Sequence, residues 1–219
     1  MKNINIILIL KHYNESSGSR MMKLVKYLNK KNYNVLCIAN DIGYPIYYEN
    51  IHKVTSVKDP FSIFKILKLE KIYNLLVKSF YLPDISILFS IKAYKFIKKY
   101  GKDYDIIITS SPKEGIHLTG YLAKKFLKLK WIADFRDQWT DEKSRYKPLT
   151  KLQDILIKKI EKNFYITSDQ IIANTPYFKH SLINKHKLSD NKVKSITNGF
   201  DPEDYKSIEE YYENTLKKN

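Results

Sequence analysis

The apolar residues of this chain fall into short continuous runs separated by longer stretches with helical spacing. The first run, Ile-Asn-Ile-Ile-Leu-Ile-Leu over 4–10, reads as a strand buried on both faces of a parallel sheet. Ser16, Ser17 and Ser19 follow as helix-cap candidates, and Met21, Leu24, Val25 and Leu28 then recur at i, i+3, i+4 and i+7. Further strands are predicted at 35–39, 52–57, 105–109, 130–134, 170–173 and 192–196, with helical patterns over 115–127, 149–164 and 175–184. Strands alternating with helices specify βαβ units. The predicted fold class is therefore α/β, a Rossmann-like doubly wound parallel sheet with helices on both faces.

Residues 59–100 interrupt the alternation with helix alone. Asp59-Pro60 is a start signal, with Asp as cap and Pro in the first turn. Leu82-Pro83-Asp84 then breaks the pattern before a second helix over 85–100. Lys65, Lys68, Lys71, Asn74 and Lys78 form a polar stripe, while Phe64, Leu67, Ile72, Leu75 and Leu76 lie mostly elsewhere. Two readings stand: a helix pair packed on the core, or a Lys-flanked surface lying on anionic lipid. No repeat or low-complexity linker divides the 219 residues, so one domain is expected over 1–205 and a polar tail or connection over 206–219.

Composition narrows the class. A hydrophobic fraction of 43% excludes a mostly disordered chain, and no apolar run reaches the roughly 18 residues that a membrane span needs. Cys37 is alone, which excludes an internal disulfide and a Cys-based zinc site. The N-terminal apolar stretch ends in Lys11-His12-Tyr13-Asn14 with no small-residue cleavage site, so a cytoplasmic protein is expected. The net charge is +16, yet of 39 basic residues only Arg20, Arg136 and Arg145 are Arg. The lysine excess is either a solvated exterior or a preference for an anionic partner. No recognised module or basic-aromatic array points to nucleic acid. In so Lys-biased a chain, Arg marks positions that need a planar, always charged fork.

Ligands of an open parallel sheet bind beyond the carboxyl ends of its strands. Four loops qualify. Gly18-Ser19-Arg20 leads into the first helix, where free N–H groups and the dipole favour an anion and Arg20 adds a charged fork. There is no G-x-G-x-x-G or Walker A pattern. The second loop runs from Thr109 through Ser110, Ser111, Pro112 and Glu114 to His117; His117 falls in the following helix and on its own reads as structural. In the third, a buried strand runs directly into Asp134-Phe135-Arg136-Asp137-Gln138-Trp139, either a local ion network or a site. The fourth is a turn beginning Thr197-Asn198-Gly199. Asp103-Tyr104-Asp105 falls at the amino end of a strand, opposite the expected cleft. The five histidines lack metal-ligand spacing, and no G-x-S-x-G elbow or Cys–His pair is present.

Together these loops resemble one family. Ser110-Ser111-Pro112 with His117-Leu118-Thr119-Gly120, then Trp131-Ile132-Ala133-Asp134-Phe135-Arg136-Asp137-Gln138-Trp139, then the motif opening with Thr197-Asn198-Gly199 and ending at Tyr205, look like the N-terminal half of family 4 glycosyltransferases. Leu82-Pro83-Asp84 and the Gly18-Ser19-Arg20 loop fit the same subgroup, whose third motif usually reads D-F-R-D-P-W; Gln138 stands where that motif has Pro. The resemblance implies a single half of a GT-B enzyme, which transfers sugar from a nucleotide donor with retention of configuration and without a metal or other cofactor. By position it implies that Gly18, Ser19 and Arg20 approach the donor phosphates. Arg136 and Asp137 become the catalytic candidates, Arg136 where relatives place a His beside the donor sugar and Asp137 orienting acceptor or donor. Ser111, Glu114, His117 and Asp134 would line the acceptor side of the cleft, and Asn198-Gly199 would begin the hinge.

Acceptors in this family are often lipid-linked sugars, which implies surface polysaccharide synthesis at the inner face of a bacterial membrane. GT-B enzymes bind the nucleotide chiefly in a C-terminal Rossmann domain. Here the sequence stops soon after the hinge motif, so half a cleft is expected, inactive or weak without a donor domain from a longer or two-chain enzyme. The alternative is a stand-alone, non-catalytic subunit that holds membrane and acceptor while a separate donor-binding protein completes the cleft.

Overall fold

The computed structural model describes residues 4–13, 15–42 and 50–199. In chain order its elements are β1 (Asn5–Tyr13), α1 (Glu15–Lys30), β2 (Asn34–Ile42), β3 (Ile51–Lys53), α2 (Ile63–Ile66), α3 (Glu70–Phe80) and α4 (Ile87–Tyr100). They continue as β4 (Ile106–Ser110), α5 (His117–Leu122), β5 (Lys130–Phe135), α6 (Lys151–Thr167), β6 (Gln170–Ala173), α7 (Pro176–His186) and β7 (Val193–Ser195). All strand pairs are parallel and form one seven-stranded sheet in the order β3-β2-β1-β4-β5-β6-β7. The order reverses between β1 and β4, which opens a crevice above the carboxyl ends of those strands.

The continuous apolar runs have a direct cause. Alternate side chains of a strand serve opposite faces, and both faces here are covered. Ile7 and Ile9 of β1 join Ile38 and Ile107 in a core closed by Phe89, Ala93 and Ile97 of α4, by Ile116 beside α5, and by Phe164 of α6. Ile6, Leu8 and Leu10 face the other way, packing with Cys37 and Ile108 against Met21 and Val25 of α1. β1 also runs past its apolar stretch to Tyr13, which brings Lys11 and His12 to the carboxyl edge. The strand expected at 52–57 is shorter, because only Ile51–Lys53 pairs with β2.

The reading of residues 59–100 as a helix pair packed on the core holds for the second helix only. Asp59 caps the segment as predicted, accepting from the Phe61 N–H at 3.0 Å, and its Oδ1 also accepts from the Tyr81 hydroxyl at 2.7 Å. The helix then breaks at Lys68, whose φ of 58° is left-handed. Of α2 and α3 only Tyr73 is buried, whereas Ile66 and Phe80 are 75% and 66% exposed. α4 is the core-facing partner, burying Leu88, Phe89, Ala93 and Ile97.

Beyond β4 the predicted single helix over 115–127 comes in three pieces: a 3-10 turn Glu114–Ile116, α5, and a π-helical turn Ala123–Leu127. Gly120 lies so close to the indole of Trp131 that a Cβ there would stand 2.1 Å from its Nε1. Asp105 keeps to the amino end of the sheet, where its Oδ2 accepts from the Asn5 N–H at 3.0 Å.

Candidate functional site

Two cavities open at the carboxyl edge, on either side of the loops after β4 and β5. The first, of about 380 Å³, lies above the strand-order reversal. It is lined by Lys11 and His12 from β1, Ser110, Ser111 and Pro112 after β4, Arg136 and Asp137 after β5, and by Arg145, Asn174 and Asn198. The second, of about 510 Å³, is walled by Asn74, Val77 and Lys78 of α3, by Asp84, Lys113, Glu114 and Trp139, and by Gln153 and Ile157 of α6. Pro112, Asp137 and Arg145 line both, so the two adjoin as one groove.

A buried carboxylate ties the loops of the first cavity together. Asp134, at the end of β5, accepts from the Ser110 hydroxyl at 2.7 Å through Oδ2 and from the Arg20 guanidinium at 3.3 Å through Oδ1. Arg20 in turn donates to Asn198 Oδ1 at 2.7 Å and to the Ile196 carbonyl at 3.2 Å. The first helix, β5 and the segment after β7 thus meet at one guanidinium. Burial pushes the Asp134 carboxyl up, although Arg20, Ser110 and Arg136 pull the other way.

The loop after β5 is fixed from below. Glu161 of α6 is buried, and its oxygens accept the Thr140 N–H at 3.2 Å and the Thr140 hydroxyl at 2.6 Å. Above that anchor, Asp137 pairs with Arg145 at 2.6 Å on the ridge between the cavities. Asp84 fastens the other wall, accepting from the Ser86 N–H at 2.8 Å and from the Gly115 N–H at 3.0 Å. The Leu82-Pro83-Asp84 break is therefore stapled to the loop after β4.

Glu114 stands half-buried on that wall. Burial first, then the nearby Asp84 carboxylate, pushes its carboxyl up to about 7. A carboxyl raised in the fold stabilises most where it is protonated. Its contribution is full below the ordinary carboxylate range and is lost as pH rises toward 7. Glu114→Gln is accordingly expected to raise the melting temperature by a few degrees at pH 8 and to leave it unchanged near pH 4. Thermal melts of both proteins across that range check the slope.

The structure brings together Arg20, Ser111, Asp134, Arg136, Asp137 and Asn198 around the first cavity and places Glu114 in the second. His117 is not in the groove. It is fully buried beneath it, its ring 4.0 Å from that of Phe135, and its Nδ1 meets the Thr109 hydroxyl at 2.7 Å. That hydroxyl also accepts from Trp131 Nε1 at 2.8 Å, and burial keeps the imidazole neutral, lowering its pKa to about 3. Gly18 and Ser19 also differ from expectation. α1 begins at Glu15, so both lie inside the helix rather than at its entrance, past the N–H groups a helix leaves unpaired. Gly199 is exposed with nothing within 4 Å of its Cβ position, and 200–219 lie outside the described residues.

Lys11, Asp84, Arg145 and Asn174 were not singled out as site residues by the sequence reading. Lys11 and Arg145 carried a signal: a cation directly after a buried strand, and one of three arginines. Among the described residues no three His, Cys, Asp or Glu side chains converge as metal ligands, and no helix is long and apolar enough to cross a membrane.

Comparison with solved structures finds this architecture repeatedly. WaaG, a glycosyltransferase involved in lipopolysaccharide biosynthesis, matches with a TM-score of 0.54 at 8% identity, over 90% of this chain and 46% of that one. Sucrose-phosphate synthase from Thermosynechococcus elongatus matches at 0.51 and 13% identity, over 97% and 99%. UDP-N-acetylglucosamine 2-epimerase from Rickettsia bellii matches at 0.54 and 12% identity, over 88% and 44%. The chain spans about half the length of several of these proteins. Identities this low establish the GT-B type of fold, which transferases and epimerases share. No curated protein matches the sequence significantly. The family is decided by the model for Glycosyltransferase Family 4, which matches residues 18–204, including the loops after β4 and β5 between the two cavities. The chain belongs to Glycosyltransferase Family 4.

Proposed function

We propose that this chain is the acceptor side of a retaining glycosyltransferase that moves a sugar from a nucleotide-sugar to a lipid-linked saccharide, as in the synthesis of a bacterial surface polysaccharide. The observation that carries the reading is the groove at the strand-order reversal in a family 4 chain: two adjoining cavities, rich in hydrogen-bonding groups, walled by the loops after β4 and β5. On this reading Asp137 and Arg136 face the reacting sugars, with Ser111 and Glu114 on the acceptor's side, and no metal takes part. On the same reading the nucleotide is held by a second half, in keeping with several of the solved proteins being about twice as long as this chain. Arg20, given by the resemblance to the donor phosphates, instead acts through Asp134 and Asn198 by fixing where the loops stand.

The helices that wall the larger cavity favour a lipid-linked acceptor. α3 lines it with Asn74 and Lys78 while exposing Leu75 and Phe80; α6 lines it with Gln153 and Ile157 while exposing Leu152 and Ile155. The exposed Lys65, Lys68, Lys71 and Lys78 are close to the first set in sequence, and the exposed Lys151, Lys158 and Lys159 to the second. Exposed apolar side chains on lysine-rich helices suit the anionic inner face of a membrane, where each Lys contributes about 1 kcal/mol near the surface. Phe80→Ser with Leu152→Ser is expected to cut sedimentation with phosphatidylglycerol vesicles several-fold and to leave the weak binding to phosphatidylcholine unchanged. Equal sedimentation of parent and variant would remove the membrane from the account.

The reaction itself is tested with the full-length native protein, a panel of labelled nucleotide-sugars and membrane lipid extract. Label is expected in the lipid-soluble fraction with one donor. Label that stays with the nucleotide for every donor, despite vesicle binding, would favour the non-catalytic docking subunit.

A further inference from the structure

Residues 59–81, which carry α2 and α3, are held together from within. The Tyr81 hydroxyl donates to Asp59 Oδ1 at 2.7 Å, tying the end of the segment to its start. Phe61 packs on Phe80 and Tyr81, with ring centroids 5.3 and 5.7 Å apart, and the Lys65 ammonium stands 4.3 Å from the centre of the Tyr73 ring. α3 packs most closely on α2 and on the 3-10 turn Pro60–Ser62 rather than on the sheet. Among the described residues, neither hydrophobic core takes a side chain from this stretch.

The chain on either side is fastened to the body. Before the segment, the Ser56 N–H donates to Asn40 Oδ1 at 3.0 Å and the Val57 N–H to the Leu88 carbonyl at 3.2 Å. After it, Leu82 packs on the core and Asp84 holds the Gly115 N–H. What lies between is Lys58 on one side and the Tyr81–Leu82 link on the other. Because Asp59 and Tyr81 are bonded to each other, these two crossings sit side by side and act as one hinge.

A further tie closes the segment down across the larger cavity. Gln153 of α6 donates from Nε2 at 2.5 Å to the carbonyl of Lys78, in the last turn of α3, where a helix leaves its carbonyls unpaired. Asn74, Val77 and Lys78 form one wall of that cavity and Gln153 and Ile157 another, so the bond spans the groove. It is a single neutral hydrogen bond at the surface and exchanges readily for water.

We infer, on the reading of α3 and α6 as a membrane surface, that residues 59–81 are a flap over the acceptor cavity, latched by Gln153 and released when the apolar side of α3 enters an anionic membrane. A membrane shifts such an equilibrium only through a difference in affinity for the two positions. Val77 supplies it. Half-buried in the cavity wall while the flap is closed, it joins the exposed Leu75 and Phe80 in contact with lipid once the flap is open. Opening lets an acceptor headgroup pass from the lipid surface into the groove, and closure then shields it from water.

Nitroxides at Lys71→Cys on α3 and Lys159→Cys on α6, both exposed positions, measure the gap by double electron–electron resonance. Cys37 is fully buried and stays unlabelled. With phosphatidylglycerol vesicles the separation is expected to lengthen by about 5 Å or more, the scale of a helical turn, and with phosphatidylcholine to stay as in solution. Gln153→Ala is expected to move part of the population to the longer separation without vesicles. It keeps α6 capped, since Thr150 accepts from the backbone N–H of that position.

Sedimentation of the labelled protein is followed in the same samples. Sedimentation with an unchanged separation overturns the flap and leaves the membrane surface standing. No sedimentation with phosphatidylglycerol removes the trigger and overturns both. Equal lengthening with both lipids, or a Gln153→Ala distribution identical to the parent's, takes the movement away from the anionic surface or from the latch and overturns the flap as proposed.

Discussion

Trp131→Ala is expected to lower the stability of the domain by about 3–5 kcal/mol, the range for truncating a large aromatic side chain in a close-packed core. Trp131 is fully buried near the start of β5, packs edge-on against Phe164 at 5.9 Å, and donates its indole N–H to Thr109. Truncation leaves a cavity between the sheet and α5 and removes one hydrogen bond from the Thr109 hydroxyl, which also meets His117 Nδ1. In a domain of this size the corresponding fall in melting temperature is on the order of 10 °C. The neighbouring glycine supplies a second check. Gly120→Ala clashes with the indole in the parent but meets open space once Trp131 is alanine, so the two substitutions are expected to be less than additive. Calorimetry on the two single variants and the double variant measures both effects. A melting temperature for Trp131→Ala equal to the parent's would show that β5 is not at the centre of the core.

Asp134→Ala is expected to cost about 3 kcal/mol, the low end of the range for breaking a buried pair, because Arg20 keeps Asn198 and the Ile196 carbonyl. The functional effect is larger than the loss of stability. Without the carboxylate, Ser110 and Arg20 lose their shared partner, and α1 and the carboxyl ends of β4 and β5 are no longer held in one register. Asp134→Asn separates charge from hydrogen bonding. Burial raises the Asp134 pKa above its ordinary value, so its contribution is full at low pH and declines as pH rises through the raised folded-state value. Asparagine lacks that decline. Denaturant unfolding is therefore expected to place Asp134→Asn much nearer the parent than Asp134→Ala, and nearer still as pH rises. Equal losses for both variants would mean that the ionised pair, rather than the hydrogen bonds, holds the loops.

The sheet was legible in the sequence because its physics is local. A run such as residues 4–10, with hardly a polar position, fits a strand covered on both faces and little else. Its carboxyl end was not legible, since Lys11 and His12 carry no hydropathy signal and extend β1 only through pairing with Asp41 and Ile42. The site was legible as a place, through the rule that ligands bind beyond strand ends, and less so residue by residue. Helical periodicity located His117 near the groove but gave no phase, and packing against Phe135 and Trp131 turned it into the core. The bonds of Arg20 to Asp134 and Asn198 were not legible, because both partners lie more than a hundred positions away in sequence. Arg145 sits in a polar stretch with no periodicity, and only the fold brings it against Asp137.

The central claim is that an acceptor lies in the groove between Asp137 and the wall formed by Asp84 and Glu114. Amide hydrogen exchange of the protein with and without detergent-solubilised membrane lipids tests it most directly. The account predicts slowed exchange in residues 82–87, 111–116 and 137–146, together with the cavity-facing turns of α3 and α6, and unchanged exchange at the amino edge around 101–106. Protection confined to α7 and β7, or none anywhere in the described groove, would contradict it.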